Sequence, residues 1–82
     1  MLEKTATLTA LSELVAQVAA QHGLATDFGP DESLVDRGLT SMAMVDLLLA
    51  VETRFDLTIP QQDITPANFA SITSLSRLVE RL

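Results

Sequence analysis

The sequence has no cysteine, an absence that excludes disulfide bonds and thiolate metal sites. It also lacks tryptophan and tyrosine, and it contains only three glycines and three prolines. No apolar run reaches the roughly 20 residues that a membrane-spanning helix needs. The first residues do not join a basic segment to an apolar run, as a secretion signal would. We therefore expect a cytoplasmic protein with no contact to membranes.

The length of the chain allows one domain. A domain of 82 residues buries only about 60 to 65% of the surface of its unfolded chain, enough for one small core. An enclosed active site with a separate substrate domain does not fit in this length. Apolar residues make up 48% of the chain and exclude wholesale disorder. Residues 1–82 are predicted to form a single domain, and we expect a monomer.

Negative charge is concentrated in the middle of the chain. The net charge is −6, and eight acids lie between Asp27 and Asp63, where Arg37 and Arg54 are the only lysines or arginines. Acids and bases balance in the two flanks. Such a field repels nucleic acid and attracts proteins with basic patches. It is equally compatible with an acidic surface that only keeps the domain soluble.

The apolar pattern predicts helices and no strands. Residues at helical spacing define a first helix: Leu8, Leu11, Leu14, Val15 and Val18. Thr7 or Thr9 is the predicted N-cap, and Gly23 is the predicted end. A long loop follows over residues 23–40, with one helical turn over 31–35. Its predicted core anchors are Leu34, Val35 and Leu39.

Three further helices are predicted after the loop. A second helix begins at Ser41 and ends at Arg54 or Phe55, and an extended link covers 56–60. Thr65 and Pro66 form a helix-start pair for a short third helix over 67–70. Ser71 or Thr73 caps a last helix with one apolar face, formed by Ile72, Leu75, Leu78, Val79 and Leu82. The predicted fold is therefore all-α, a small four-helix bundle of three main helices plus a short third helix.

The second predicted helix is almost wholly apolar, because Asp46 is the one polar residue between Met42 and Val51. We predict an inward face of Val45, Leu48, Val51 and Phe55, with Met42 and Leu47 at its flanks. The predicted outward face contains Ala43, Asp46 and Leu49, with Met44 at the edge beside Ser41. Exposed apolar residues rimmed by acids would form a protein-docking face. The alternative is a central helix that the other helices cover on most sides.

Ser41 stands where a glycine-marked turn meets this helix, in Gly38-Leu39-Thr40-Ser41-Met42. A helix N-terminus favours a phosphate group, although a serine there is also an ordinary N-cap. Downstream, Glu52, Phe55, Leu57, Ile59 and Pro60 follow at fixed spacing. With the long loop, these two segments resemble the phosphopantetheine-dependent carrier proteins of acyl, aminoacyl and peptidyl groups. The resemblance extends from about Leu8 to Leu82.

The resemblance implies that Ser41 receives 4′-phosphopantetheine from coenzyme A through a magnesium-dependent phosphopantetheinyl transferase. The thiol of this arm would hold an acyl or aminoacyl group as a thioester, although the chain has no cysteine. Further partners would be an acyl- or amino acid-activating ligase and downstream acyl-processing enzymes. The sequence is closer to stand-alone carriers of secondary metabolism or of activated amino acids. Thr40 stands where acyl carriers commonly have Asp, a position implicated in transferase recognition.

Partner docking is predicted at the start of the second helix and the end of the preceding loop. The predicted docking residues are Asp36, Leu39, Thr40, Met42, Ala43, Met44, Asp46 and Leu49. No residue is predicted to be catalytic or to bind a metal, since no histidine, lysine or cysteine stands near Ser41 in the sequence to act as a base. The alternative function is a helical docking or regulatory module without a prosthetic group.

Overall fold

The computed structural model describes residues 2–82, with side chains from Ala6 onward. It contains three α-helices: α1 (Leu2–Gln21), α2 (Ser41–Phe55) and α3 (Ile72–Arg81). A short 3₁₀ helix covers Gln61–Asp63. The all-α prediction is confirmed for this range, with three helices in place of four. None of the helices described is both long enough and apolar enough to cross a membrane.

Helix α1 packs against both α2 and α3. Its buried residues follow the predicted stripe: Ala10, Leu11, Leu14, Val15, Val18 and Ala19. The predicted N-caps are wrong, because α1 begins at Leu2 and both Thr7 and Thr9 lie inside it. The residues before and between them are mostly good helix formers, which let the helix continue through both threonines.

Helix α1 ends at Gln21, and Gly23, the predicted stop, lies in the turn that follows. Gly23 has a φ of +73°, in the left-handed region that glycine enters at low cost. Its N–H donates to the carbonyl of Ala20 at 3.1 Å, and the N–H of Leu24 donates to that of Ala19 at 2.8 Å. These two bonds form a Schellman motif, which satisfies carbonyls at the helix end and turns the chain toward α2.

Helix α2 has the predicted bounds, but its buried face is rotated from the prediction. Ala43, Leu47 and Val51 are fully buried at a spacing of four residues. Val45, predicted inward, is 53% exposed, and Ala43, predicted outward, faces the core. The prediction failed because α2 carries leucines, valines and methionines on all of its faces, so the spacing of its apolar residues does not show which face is buried.

The segment after α2 is fixed by the helix itself. Asp56 takes a left-handed conformation with a φ of 53°, and its N–H bonds back to the carbonyl of Glu52. The Glu52 carboxylate then accepts the N–H of Ile59 at 2.8 Å, and Ile59 is buried. The spacing of these residues in the sequence thus has a structural cause, since one acid on α2 holds the strand-like link that follows.

The predicted short third helix forms only a single turn, at residues 66–69. Thr65 caps this turn as predicted, because its Oγ1 accepts the N–H of Asn68 at 3.2 Å. The turn stops because Ser71 has an extended backbone, with a φ of −154°, and caps α3 instead. Ser71, and not Thr73, is therefore the N-cap of α3.

Helix α3 buries Ile72, Leu75 and Leu78, as predicted, whereas Leu82 is 48% exposed beyond the helix end. The hydroxyl of Ser76 is also buried on this helix, and it has no hydrogen-bond partner among the described residues. Together with α1 and α2, these leucines and isoleucine complete the single core of the domain.

We predict that Leu47→Ala lowers the free energy of unfolding by about 2 to 5 kcal/mol, because it removes a fully buried side chain and leaves a cavity. Leu49→Ala on the same helix is the control, and an exposed site of this kind changes stability by about 0.5 kcal/mol or less. Urea unfolding monitored by circular dichroism measures both variants. A larger effect at Leu49 than at Leu47 would contradict the orientation of α2.

Candidate functional site

The loop between α1 and α2 carries Ser41 at its end and is anchored in the core. Leu34 and Leu39 are buried as predicted, but Val35 is 64% exposed. The predicted helical turn over 31–35 does not form. A turn covers 34–38 instead, and in it Leu34 faces the core while Val35 faces solvent.

Two backbone bonds fasten the loop to the beginning of α3. The N–H of Leu34 donates to the carbonyl of Ala70, and the N–H of Thr73 donates to that of Pro30, each at 2.9 Å. The second bond satisfies one of the N–H groups that a helix leaves unpaired in its first turn. The loop is therefore held at two points, Pro30 and Leu34, against the beginning of α3.

Gly38 lets the loop pass close to the end of α1. Its φ is +105°, and a Cβ atom at this position would lie 3.1 Å from Cδ2 of Leu24. Both the backbone conformation and the contact disfavour a side chain here. This glycine gives the chain the bend that delivers Leu39, Thr40 and Ser41 to the start of α2.

The side chain of Arg37 contacts three other residues of the loop. Its guanidinium donates to Oε1 of Glu32 at 2.7 Å, and to the carbonyl and Oδ1 of Asp27, each at 3.0 Å. It also lies 4.5 Å from the ring centroid of Phe28. Glu32 accepts the N–H of Gly29 as well, and this bond together with Arg37 holds the pKa of the Glu32 carboxyl below its ordinary value.

Thr40, and not Ser41, is the N-cap of α2. Thr40 has an extended backbone, and its Oγ1 accepts the N–H of Ala43 at 3.3 Å. Ser41 is the first residue of the helix and is exposed. Its hydroxyl has no hydrogen-bond partner among the described residues. The capping function expected of the serine is therefore performed by its neighbour, which leaves the Ser41 hydroxyl free.

An apolar groove opens beside Ser41. It has a volume of about 350 Å³ and lies between the first turns of α2 and the segment over 64–69. Its lining residues are Val35, Ser41, Met44, Val45, Leu48, Ile64, Thr65, Pro66 and Phe69. Met44 thus lies beside Ser41, as predicted. The groove can accept a narrow, uncharged chain attached at the serine.

The predicted docking residues divide into exposed and buried ones. Leu39 is 3% exposed and Ala43 is fully buried, so these two predictions are wrong, since both side chains face the core. Met44 is half-buried in the groove. The others are exposed: Asp36, Thr40, Met42, Asp46 and Leu49. Val45 belongs with them, although it was predicted to face inward.

One contact at the site was not predicted. Nε2 of His22, at the end of α1, lies 2.8 Å from Oδ2 of Asp46 on α2. The two residues are separated by 24 positions, so no local spacing in the sequence indicates the pair. No group of three or more histidine, cysteine or acidic residues in the described part of the chain is arranged to hold a metal ion.

Replacement of the two adjacent hydroxyls has different expected effects on stability. We predict that Thr40→Ala lowers the free energy of unfolding by about 1 kcal/mol, the typical cost of a lost N-cap. Ser41→Ala changes it by about 0.5 kcal/mol or less, because an exposed hydroxyl without a partner is removed. Denaturant titration of the unmodified proteins compares the two. An equal or greater loss at Ser41 would show that the serine contributes to the cap.

Comparisons with known proteins agree with this geometry. The family model described as "Phosphopantetheine attachment site" matches residues 9–82. Aminoacyl carrier protein 1 of Bradyrhizobium diazoefficiens is 54% identical over 67 residues, which are 82% of this chain and 74% of that protein. Aminoacyl carrier protein 2 of the same organism is 46% identical over 66 residues, 80% of this chain and 74% of that one.

A solved structure has the same fold. It is the crystal structure of Bradyrhizobium japonicum glycine:[carrier protein] ligase complexed with its cognate carrier protein and an analogue of glycyl adenylate. The matched chain is 44% identical with a TM-score of 0.86, and the match covers 94% of this chain and 99% of that chain. Because an 82-residue chain covers nearly all of it, the matched chain is the carrier. On the family match and these identities, the chain belongs to the phosphopantetheine-attachment family and, within it, to the aminoacyl carrier proteins.

Proposed function

We propose that Ser41 is the attachment site of 4′-phosphopantetheine and that the chain carries an amino acid on this arm to partner enzymes. One observation carries the proposal most directly. In a family defined by phosphopantetheine attachment, Ser41 is exposed at the first position of a helix and its hydroxyl is unpartnered among the described residues. The donor is coenzyme A, and the transfer requires a separate phosphopantetheinyl transferase.

The surroundings of Ser41 fit a phosphodiester. The N-terminus of α2 carries a partial positive charge from its unpaired N–H groups, and this charge stabilises an anion. The first turn of α2 contains no acidic residue that would compete for those groups. The groove beside Ser41 has an almost wholly apolar lining, which suits the methylene-rich part of an arm. The attached arm supplies a thiol, which holds the cargo as a thioester.

We propose that the chain itself catalyses no step. A serine nucleophile needs a base within hydrogen-bond reach, and no such base bonds to Ser41 among the described residues. His22 is engaged with Asp46. The task of the chain is to present one hydroxyl, hold the helix that carries it and offer a surface to partners. The cytoplasmic location stays a prediction.

The proposed cargo is an amino acid and the proposed loading partner is an amino acid-activating ligase. The two curated relatives are named aminoacyl carrier proteins. A second solved complex, of the Bradyrhizobium japonicum ligase with glycylated carrier protein, contains a chain that is 45% identical, with a TM-score of 0.82 and coverage of 89% of this chain and 97% of that one. We propose that a ligase of the same class loads this chain, and that acceptor enzymes receive the amino acid.

We propose that partners dock on one exposed face at the start of α2, the docking face, formed by Asp36, Thr40, Met42, Val45, Asp46 and Leu49. Met42 is 75% exposed, and Val45 and Leu49 on the same helix are each more than half exposed. Exposed apolar side chains grouped on one helix suit contact with a partner protein. Methionine adapts to differently shaped partners because its side chain is flexible. The two acids would meet basic residues of the partner and guide association.

We predict that Ser41→Ala abolishes the mass increase that coenzyme A and a phosphopantetheinyl transferase produce on the parent chain. The hydroxyl is the proposed attachment atom, and no neighbouring serine can replace it. Intact-protein mass spectrometry measures the increment. Ser12→Ala is the matched control, since Ser12 is also an exposed helical serine, and it should gain the full increment.

The mass experiment also separates the carrier from a docking module without a prosthetic group. An unmodified parent mass, with a transferase that modifies another carrier under the same conditions, would favour the docking module. Modification of Ser41→Ala would move the attachment site to another residue.

We predict that Met42→Ala and Asp46→Lys each lower kcat/KM for loading by the ligase about tenfold, equivalent to about 1.4 kcal/mol. The Asp46 effect should shrink with added salt, because screening acts on exposed charges over about 8 to 10 Å. Leu82→Ala and Glu80→Lys, at exposed positions on and beyond α3, are the matched controls. If the controls slow loading and the α2 variants do not, the docking face lies on α3.

A further inference from the structure

We infer that Arg37 is a positioning residue for the modification of Ser41. This inference rests on the proposed function of Ser41. Arg37 precedes the serine by four positions, and its guanidinium contacts Asp27, Phe28 and Glu32 of the same loop. It acts through the loop, by holding the approach to α2 in a single conformation that a transferase can recognise.

The contacts of Arg37 join two separated parts of the loop. Asp27, Phe28 and Glu32 lie near its middle, and all three contact the guanidinium. Arg37 is the only lysine or arginine between Lys4 and Arg54. No other lysine or arginine of this part of the sequence can take its place. If Arg37 were replaced by a neutral residue, Asp27 would lose its ion pair and Glu32 would keep only its bond from the N–H of Gly29.

The backbone carries the effect from Arg37 to the serine. The N–H of Arg37 donates to the carbonyl of Ser33 at 3.1 Å, and the N–H of Gly38 donates to that of Val35 at 3.0 Å. The N–H of Leu39 then donates to the carbonyl of Leu34 at 3.1 Å, and Thr40 caps α2. Gly38 and Leu39 thus each make a bond within this turn, and Thr40 joins the turn to α2.

Loss of the Arg37 contacts should affect recognition more than stability. Exposed ion pairs contribute little to folding, and the Asp27 side chain is 91% exposed. Without these contacts, the loop before Ser41 would adopt the conformation that the transferase recognises in only a fraction of the molecules. The apparent affinity of the transferase then falls by that fraction. The carrier that the transferase has bound has the same loop conformation in the variant as in the parent, so kcat should change little.

The test compares Arg37→Gln with Arg54→Gln in the full chain. Arg54 also stacks on a ring, that of Phe55 at 5.6 Å, but it lies near the C-terminus of α2, about 20 Å along the helix from Ser41. With coenzyme A and a transferase that modifies the parent, we expect Arg37→Gln to raise the KM for the carrier about tenfold and to change kcat less than about twofold. Arg54→Gln should match the parent.

Two further measurements separate positioning from a general structural role. Thermal unfolding of Arg37→Gln should stay close to that of Arg54→Gln, while amide hydrogen exchange should rise in residues 37–43. Arg37→Lys should restore part of the KM, because lysine keeps the charge but cannot make the forked contacts of a guanidinium.

Three results would overturn the inference. The first is a KM for Arg37→Gln equal to that of the parent or of Arg54→Gln. The second is a loss of kcat with an unchanged KM. The third is unfolding of Arg37→Gln at the assay temperature, which would make Arg37 a requirement of the whole fold. Failure of the parent chain to be modified at all would instead contradict the proposed function of Ser41.

Discussion

Burial of one face of α1 is the interaction on which the rest of the structure depends. In a domain of this length a single core must be enough, and α1 packs against both other helices. Leu11 and Val15 are fully buried in that core. The end of α1 is equally important, because the Schellman motif at Gly23 directs Leu24 back over Gly38. The bend that precedes Ser41 is thus built against the end of the same helix.

Much of the fold could be predicted from the sequence, because the signals for α1 and α3 are local. Both helices have apolar residues at helical spacing beside polar ones, so the spacing identifies the buried face. Helix α2 was different. Its bounds could be predicted from the glycine before it and the polar residues after it, but its orientation could not. Ala43 and Val45 exchange places relative to the prediction because burial there depends on the neighbouring elements and not on α2 alone.

The candidate site shows the same division between local and long-range information. The position of Ser41 at a helix start was visible in the sequence. Which of the two adjacent hydroxyls caps the helix was not, because threonine and serine are both accepted at an N-cap. His22 contacts Asp46, and Arg37 contacts Asp27. Both contacts join residues that are distant along the chain, and only the folded loop brings them together. Glu52 is the reverse case, since its bond to Ile59 explains a spacing that the sequence displays.

The separation of the two hydroxyls at the start of α2 has a consequence for the proposed attachment of the arm. Thr40 holds the helix end, and Ser41 takes no part in the bonds that define it. A group can therefore be added to or removed from the serine without breaking a bond that maintains the helix. The bare and the modified protein should share one architecture, so that a partner distinguishes them by the attached group itself. A helix capped by the residue that receives the arm would lose its cap bond when the arm is attached.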